Sequence, residues 1–245
     1  MPRKKTERTR RDFLIRSMAV VPALALGGVG LAEAAAPGLE RRAGETAPGG
    51  KTARSYQPVF FSQEEFAFIK AAVSRLIPKD GLGPGALEAG VPEFIDRQMQ
   101  TPYGVGANWY MQGPFHPDAD PLLGYQLPLK PVEVYRLGIA AANDLAREKH
   151  KNSFDALSGE QQDELLGLME SGKAVFAKLP SKTFFAMLLQ NTREGFFSDP
   201  VHGGNQGLIG WKLIGFPGAR ADFMDWVERN ERYPFPPVSI SGERG

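Results

Sequence analysis

Along SQEEFAFIKAAVSRLIP, Phe66, Ile69, Val73 and Ile77 recur at three- and four-residue intervals, which is the pattern of one apolar helix face. Ser62 and Glu65 precede that stripe with the spacing of a capping box, in which hydroxyl and carboxylate each accept a free backbone N–H. Pro78 ends the segment, because the residue before a proline is pushed out of the helical region. Pro92 stands where a first-turn proline opens a second helix carrying Phe94, Ile95 and Met99. Pro131 opens the longest one, PVEVYRLGIAAANDLAREKH, whose predicted buried stripe is Val134, Leu137, Ala141 and Leu145. Ser158 with Gln161 predicts another capping box ahead of Leu165, Leu168 and Met169. Ser181 is read as the cap of KTFFAMLLQNTREGFF, with Phe184, Phe185, Leu188 and Leu189 giving way to Thr192 and Phe196. A short last helix is expected from about Asp222 to Arg229. No stretch alternates as a half-buried strand would, so the class is mainly α: a compact single-domain helical fold with long connections rich in Gly, Pro and aromatic residues.

Two of those connections stand out. Residues 101–130 hold Tyr103, Trp109, Tyr110, Phe115 and Tyr125 among many glycines and prolines. A loop this long and aromatic is expected to pack on the domain or on a partner. After Phe197, SDPVHGGNQGLIGWKLIGFPGA sets Gly203, Gly204, Gly207, Gly210, Gly215 and Gly218 within sixteen residues, which predicts positive-φ turns or close backbone approaches.

The N-terminal pattern is different. Arg10 and Arg11 stand ahead of Phe13-Leu14, an apolar run from Met18 to Leu31 follows, and small residues come after it, the layout of a twin-arginine export signal. The run is fourteen residues long and contains Pro22, against the roughly 20 apolar residues a membrane-spanning helix needs. Ala32-Glu33-Ala34 places small residues at both recognition positions and predicts cleavage after Ala34. The chain then divides into a signal at 1–34, a flexible linker at 35–56, a helical domain at 57–232 and a Pro-rich tail at 233–245. Removing the signal takes seven of 29 basic and three of 28 acidic residues, leaving 22 and 25, a net charge of −3. Without a basic excess there is no electrostatic footprint for nucleic acid. The chain has no cysteine, which excludes c-type haem attachment and thiolate-bound iron–sulfur clusters within it.

Candidate chemistry is sparse. The three histidines, His116, His150 and His202, have none of the helical spacing of a ligand pair, so no metal site is expected. His150 follows Arg147 and Lys149 at an expected helix end, where a cation suits the dipole. His202, beside two glycines, is the one histidine placed for catalysis, with Asp199 or Glu194 as its neighbouring acid. The acid pairs Glu64-Glu65, Asp118/Asp120 and Asp163-Glu164 fall at helix starts or solvated faces. GLGPGALEAG lacks the Gly-Lys-Ser/Thr ending of a phosphate loop, and there is no Gly-x-Ser-x-Gly elbow.

Three ordered segments, LIPKDGLGPGALEAGVPEFIDRQ, GYQLPLKPVEVYRLGI and FFSDPVHGGNQGLIGWKLIGFPGA, behind a twin-arginine signal, resemble the gluconate 2-dehydrogenase subunit 3 family over about residues 60–219. The strongest marks are Gly83-Pro84-Gly85-Ala86 with Glu88-Ala89-Gly90-Val91, Asp199-Pro200 with Gly203-Gly204-Asn205, and Gly210-Trp211-Lys212 with Gly215-Phe216-Pro217-Gly218. His202 departs from the pattern, which has an aromatic there, usually Tyr. The resemblance implies a small subunit with no cofactor or active site of its own. Its partners would be a large FAD-containing dehydrogenase subunit, a c-type cytochrome carrying haem c, and the twin-arginine translocase. Its location would be periplasmic, held at the inner membrane through partner subunits. Expected interface residues are Trp109, Tyr110, Phe115, Tyr125, His202, Gly203, Gly204, Asn205, Trp211 and Phe216. Trp211 fits packing on its own core equally well. Two other readings stay open: a self-sufficient enzyme using His202 with an acid, and a solute-binding module with the aromatic loop as platform.

Overall fold

The computed structural model describes residues 56–245. The export signal with Arg10, Arg11, Phe13 and Leu14, and nearly all of the 35–56 linker, lie outside the described residues. Six α-helices are present among the described residues: α1 Gln63–Leu76, α2 Val91–Gln98, α3 Pro131–His150, α4 Gly159–Glu170, α5 Ser181–Phe197 and α6 Ile209–Ile214. They contain no β-strand, only isolated bridges such as the one between Gly218 and Val238, so the mainly α class holds.

Local signals set most helix starts. Ser62 Oγ accepts from the Glu65 amide at 3.2 Å while Glu65 accepts from the Ser62 amide at 2.8 Å. Ser158 and Gln161 repeat this exchange at α4. Pro92 lies in the first turn of α2, and Pro131 in that of α3. The α5 start differs from expectation. Its cap position is Pro180, and Ser181 is the first helical residue, its hydroxyl donating to the Ala174 carbonyl at 2.7 Å. The serine therefore ties the helix to the preceding loop instead of satisfying its free amides.

Helix α5 is the central element, touching all five other helices. Phe68, Tyr135, Phe154 and Phe184 are wholly buried around it, with Phe68 4.6 Å from Phe154 and 6.0 Å from Phe184 between ring centres. Burying one such side chain contributes about 1.5–3 kcal/mol. The buried stripe of α3 is Val134, Tyr135, Gly138, Ile139, Ala142 and Ala146, while Leu137, Ala141 and Leu145 lie half-buried on its flank. The predicted stripe is thus displaced around the helix. Gly138 is the reason: a methyl group there would lie 2.2 Å from the Phe184 ring, so the smallest residue, not a leucine, faces α5 at closest approach.

The segment expected as a last helix at 222–229 is a 3-10 turn over Ala221–Trp226 instead. There Asp222 accepts from the Tyr233 hydroxyl at 2.7 Å, a tie to the following chain. Residues 233–245 lie against the Gly-rich segment, with Ala219 donating to Val238 O at 2.7 Å and Val238 donating to Pro217 O at 3.1 Å.

Candidate partner surface

The glycine motifs meet at the C-terminal end of α5. Asn205, wholly buried in a left-handed conformation (φ 46°), receives the Gly210 amide on Oδ1 at 2.7 Å and donates from Nδ2 to Ser198 O at 2.8 Å. Its own amide donates to Gly195 O at 2.8 Å. The next amide, Gln206, donates to Ala89 O at 3.0 Å, and the Gln206 side chain covers Gly90, where a Cβ would fall 2.2 Å from it. Asp199 accepts from the Val201 amide on one oxygen and from the Ile240 amide on the other. The 83–91, 199–205 and 210–218 motifs are therefore one junction in which side-chain atoms are replaced by close backbone packing.

This junction distributes the sequence-predicted surface residues between interior and exterior. Gly203, Gly204 and Asn205 are buried. Trp211 is 6% exposed, its Nε1 donating to Phe197 O at 2.7 Å; it belongs to the chain's own core. His202 and Phe216 remain at the surface, and Phe216 packs edge-on against Trp211 with ring centres 5.0 Å apart.

The 101–130 connection is anchored at its base. Tyr103, Trp109 and Tyr125 form a continuous aromatic contact, with centroid separations of 5.9 and 4.7 Å. Tyr103 and the buried Tyr135 both donate to Asn191 Oδ1, at 3.1 and 2.8 Å, and Asn191 Nδ2 donates to Glu194 at 2.9 Å. Trp109, Phe115 and Tyr125 are half-buried, while Tyr110, Leu122 and Leu123 at the tip are at least 70% exposed. The structure thus separates Tyr110 from the three aromatic residues that hold the loop down.

Burial pushes the Tyr103 phenol up to about 12, opposed by its hydrogen bond to Asn191 and reinforced by the Glu194 charge. Burial likewise raises Tyr125 to about 12, helped by Glu133 and by Tyr103. An acid whose folded-state value exceeds its unfolded value of about 10 contributes stability that is complete below pH 10. That contribution disappears as pH rises toward 12, since the unfolded chain ionises first. Alkaline unfolding is therefore expected to set in between pH 10 and 12, and Tyr103→Phe is expected to flatten that limb. A denaturant midpoint measured against pH, alongside tyrosinate absorbance, checks it; an unchanged slope in Tyr103→Phe would contradict the assignment.

A third surface was not found from sequence. Phe223, Trp226, Tyr233 and Phe235 form an edge-to-face cluster, with Tyr233 at 5.3, 5.8 and 5.6 Å from the other three. Arg220 lies over Tyr233 and Phe235, and Arg229 over Trp226 at 4.4 Å. Beside the cluster, an open groove of about 500 Å³ runs between Trp211 and Phe216 on one side and Tyr233 and Phe235 on the other. Met224 and Val227 are exposed nearby in sequence at 80% and 65%. The available signal was density: five aromatics between residues 216 and 235 outside any strong helical period.

The acids named with His202 are engaged by other donors. Both Asp199 oxygens hold backbone amides, and Glu194 accepts from Gln190 and Asn191. His150 ends α3 with Nε2 3.5 Å from Glu164, a contact that links α3 to α4. Among the described residues there is no group of three or more His, Asp or Glu that could hold a metal ion. No helix among them is long and apolar enough to cross a membrane.

A family model described as gluconate 2-dehydrogenase subunit 3 matches residues 63–218, well over half of the chain. That span runs from the start of α1 through the third glycine motif. Neither the curated proteins nor the solved structures yield a match.

Proposed function

We propose a partner-binding role for this chain, which belongs to the gluconate 2-dehydrogenase subunit 3 family. It is the non-catalytic small subunit of a periplasmic, membrane-associated sugar or sugar-acid dehydrogenase. It binds the large flavoprotein subunit and supports that subunit's folding and twin-arginine export. FAD resides in the flavoprotein and haem c in a cytochrome subunit, which pass electrons between them.

The observation that carries this reading is the placement of large apolar side chains on the outside. Tyr110, Leu122 and Leu123 at the connection tip, and Phe216, Met224 and Phe235 near the C-terminus, are all at least 45% exposed. Large apolar side chains left on the outside, such as Phe216 and Phe235 facing one groove, suit protein–protein contact. The acids near His202 are meanwhile engaged by the chain's own hydrogen-bond donors, which leaves the His202–acid enzyme without a base–acid pair.

The test is export of the partner. Replacing Arg10 and Arg11 by lysine, in cells that express both subunits, is expected to leave the flavoprotein dehydrogenase in the cytoplasm. Normal delivery of that flavoprotein to the periplasm would defeat the shared-signal idea. Turnover of a sugar acid by the mature chain alone, given an electron acceptor, would defeat the accessory reading.

A further inference from the structure

We infer that the groove between Trp211/Phe216 and Tyr233/Phe235 is a docking site for an extended acidic segment of the flavoprotein subunit carrying an apolar anchor residue. This rests on the partner reading above and goes further by assigning the contact to particular side chains and its chemistry to the partner.

Three observations support it. The charged side chains lining the groove are Lys212 and Arg232, both exposed, and the backbone of Gly245 also lines it, beside Lys212 and donating to Pro237 O at 2.9 Å. The two cations call for carboxylates on the occupant, since opposite charge at a rim steers encounter and excludes wrong partners. The floor and walls are aromatic, with Phe216 45% and Phe235 50% exposed, so an apolar side chain entering between them gains buried area where contact energy concentrates. The far wall is also preformed. Prolines 234, 236 and 237 restrict its backbone, Arg220 Nε donates to Pro236 O at 3.0 Å, and Val238 donates to Pro217 O at 3.1 Å. A wall already held in place lowers the ordering cost of binding.

The position of the groove adds a consequence. Trp211, Lys212 and Phe216 lie inside the family match, which ends at residue 218, whereas Arg232, Tyr233 and Phe235 lie outside it. One wall belongs to the shared family segment and the other to a segment beyond it. The groove therefore joins the family segment to the chain that follows it.

The experiment measures affinity of the full chain for its purified flavoprotein subunit at low and high salt. The double variant Lys212→Glu/Arg232→Glu is expected to weaken binding at least tenfold at low salt, with the difference shrinking as salt screens the rim. Phe235→Ser is expected to weaken it about tenfold at both salts, as loss of an apolar anchor does. If charge reversal unfolds the chain, Lys212→Gln/Arg232→Gln gives the same reading. Should wild type bind and both groove variants bind equally well, the groove assignment is wrong while the accessory role stands. Should wild type fail to bind the flavoprotein, the accessory role itself fails, and the groove assignment with it. A change in self-association on sedimentation, with flavoprotein affinity intact, would make the occupant a second copy and overturn the proposal.

Discussion

Gly204→Ala is expected to destabilise the fold by about 3–5 kcal/mol, beyond the roughly 1–3 kcal/mol of ordinary overpacking. The reason is what the added methyl meets. At Gly204 it would lie 2.1 Å from the Gly195 carbonyl oxygen and 2.9 Å from both the Gly195 carbonyl carbon and Ser198 Oγ. A side chain in the way could rotate, but Gly195 is backbone inside α5, and moving it displaces the Asn205 amide that donates to that same oxygen. Gly167, on α4, supplies a control of opposite sign. Nothing lies within 4 Å of a Cβ built there and its φ is ordinary, so Gly167→Ala is expected to stabilise by up to about 1 kcal/mol through helix propensity. Urea midpoints for the two variants should move in opposite directions; a shift of less than about 1 kcal/mol in Gly204→Ala would show that the junction relaxes and is not close-packed as described.

Asp96→Ala is expected to cost about 3–5 kcal/mol, because it removes the acceptor of three amides, at roughly 1–3 kcal/mol for each donor left buried and unsatisfied. Asp96 is wholly buried on α2. Its Oδ2 accepts from the Val59 amide at 2.7 Å, and its Oδ1 from the Phe60 and Phe61 amides at 3.1 and 2.9 Å. These three successive amides lie just before the Ser62 cap, so one carboxylate fixes how the chain enters α1. Asp96→Asn keeps the shape but turns an N–H toward at least one of those amides, and its loss is expected to be smaller yet still above 1 kcal/mol, the size of one unmade buried hydrogen bond. Amide exchange at Phe61 should quicken in both variants before the rest of α1 responds. Wild-type protection at Phe61 in Asp96→Ala would mean that those amides find other acceptors.

What was legible in the sequence was local. Ser62/Glu65 and Ser158/Gln161 were readable because a capping box closes over three residues. Pro92 and Pro131 were readable because a proline's backbone restriction acts on its own turn. The glycine run was readable as backbone architecture, and four of its six glycines have positive φ while Gly204 and Gly210 lie against carbonyl oxygens. Contacts between distant segments escaped. The role of Asp96 has no local signal, since its partners lie 35 to 37 residues earlier. The α3 stripe is displaced from the one its spacing predicts, because spacing does not show which face crosses α5, and that crossing is set by what α5 presents to Gly138. Ser181 was assigned to the nearest helix start because its acceptor, Ala174 O, becomes visible only once the intervening loop is folded. For the candidate surface, residue types that favour contact were identifiable, but exposure was not. Asn205 and Trp211 are internal, while Phe235, in the segment read only as a tail, lines the open groove.

The Asn191 side chain has a mechanical consequence. Its single oxygen is shared by hydroxyls from Tyr103, at the base of the long connection, and Tyr135, in the middle of α3, and its nitrogen is tied to Glu194 on its own helix. Removing the Asn191 side chain would leave both hydroxyls without this acceptor, the buried Tyr135 among them, so one amide ties three segments. The connection is thereby clamped at one end like a cantilever. Tyr110, whose hydroxyl reaches only to Gly113 of the same loop, and the exposed Leu122 and Leu123 lie beyond the clamp. Trp109 and Tyr103 are in ring contact, and Tyr103 in turn donates to the Asn191 amide that lies between the two longest helices.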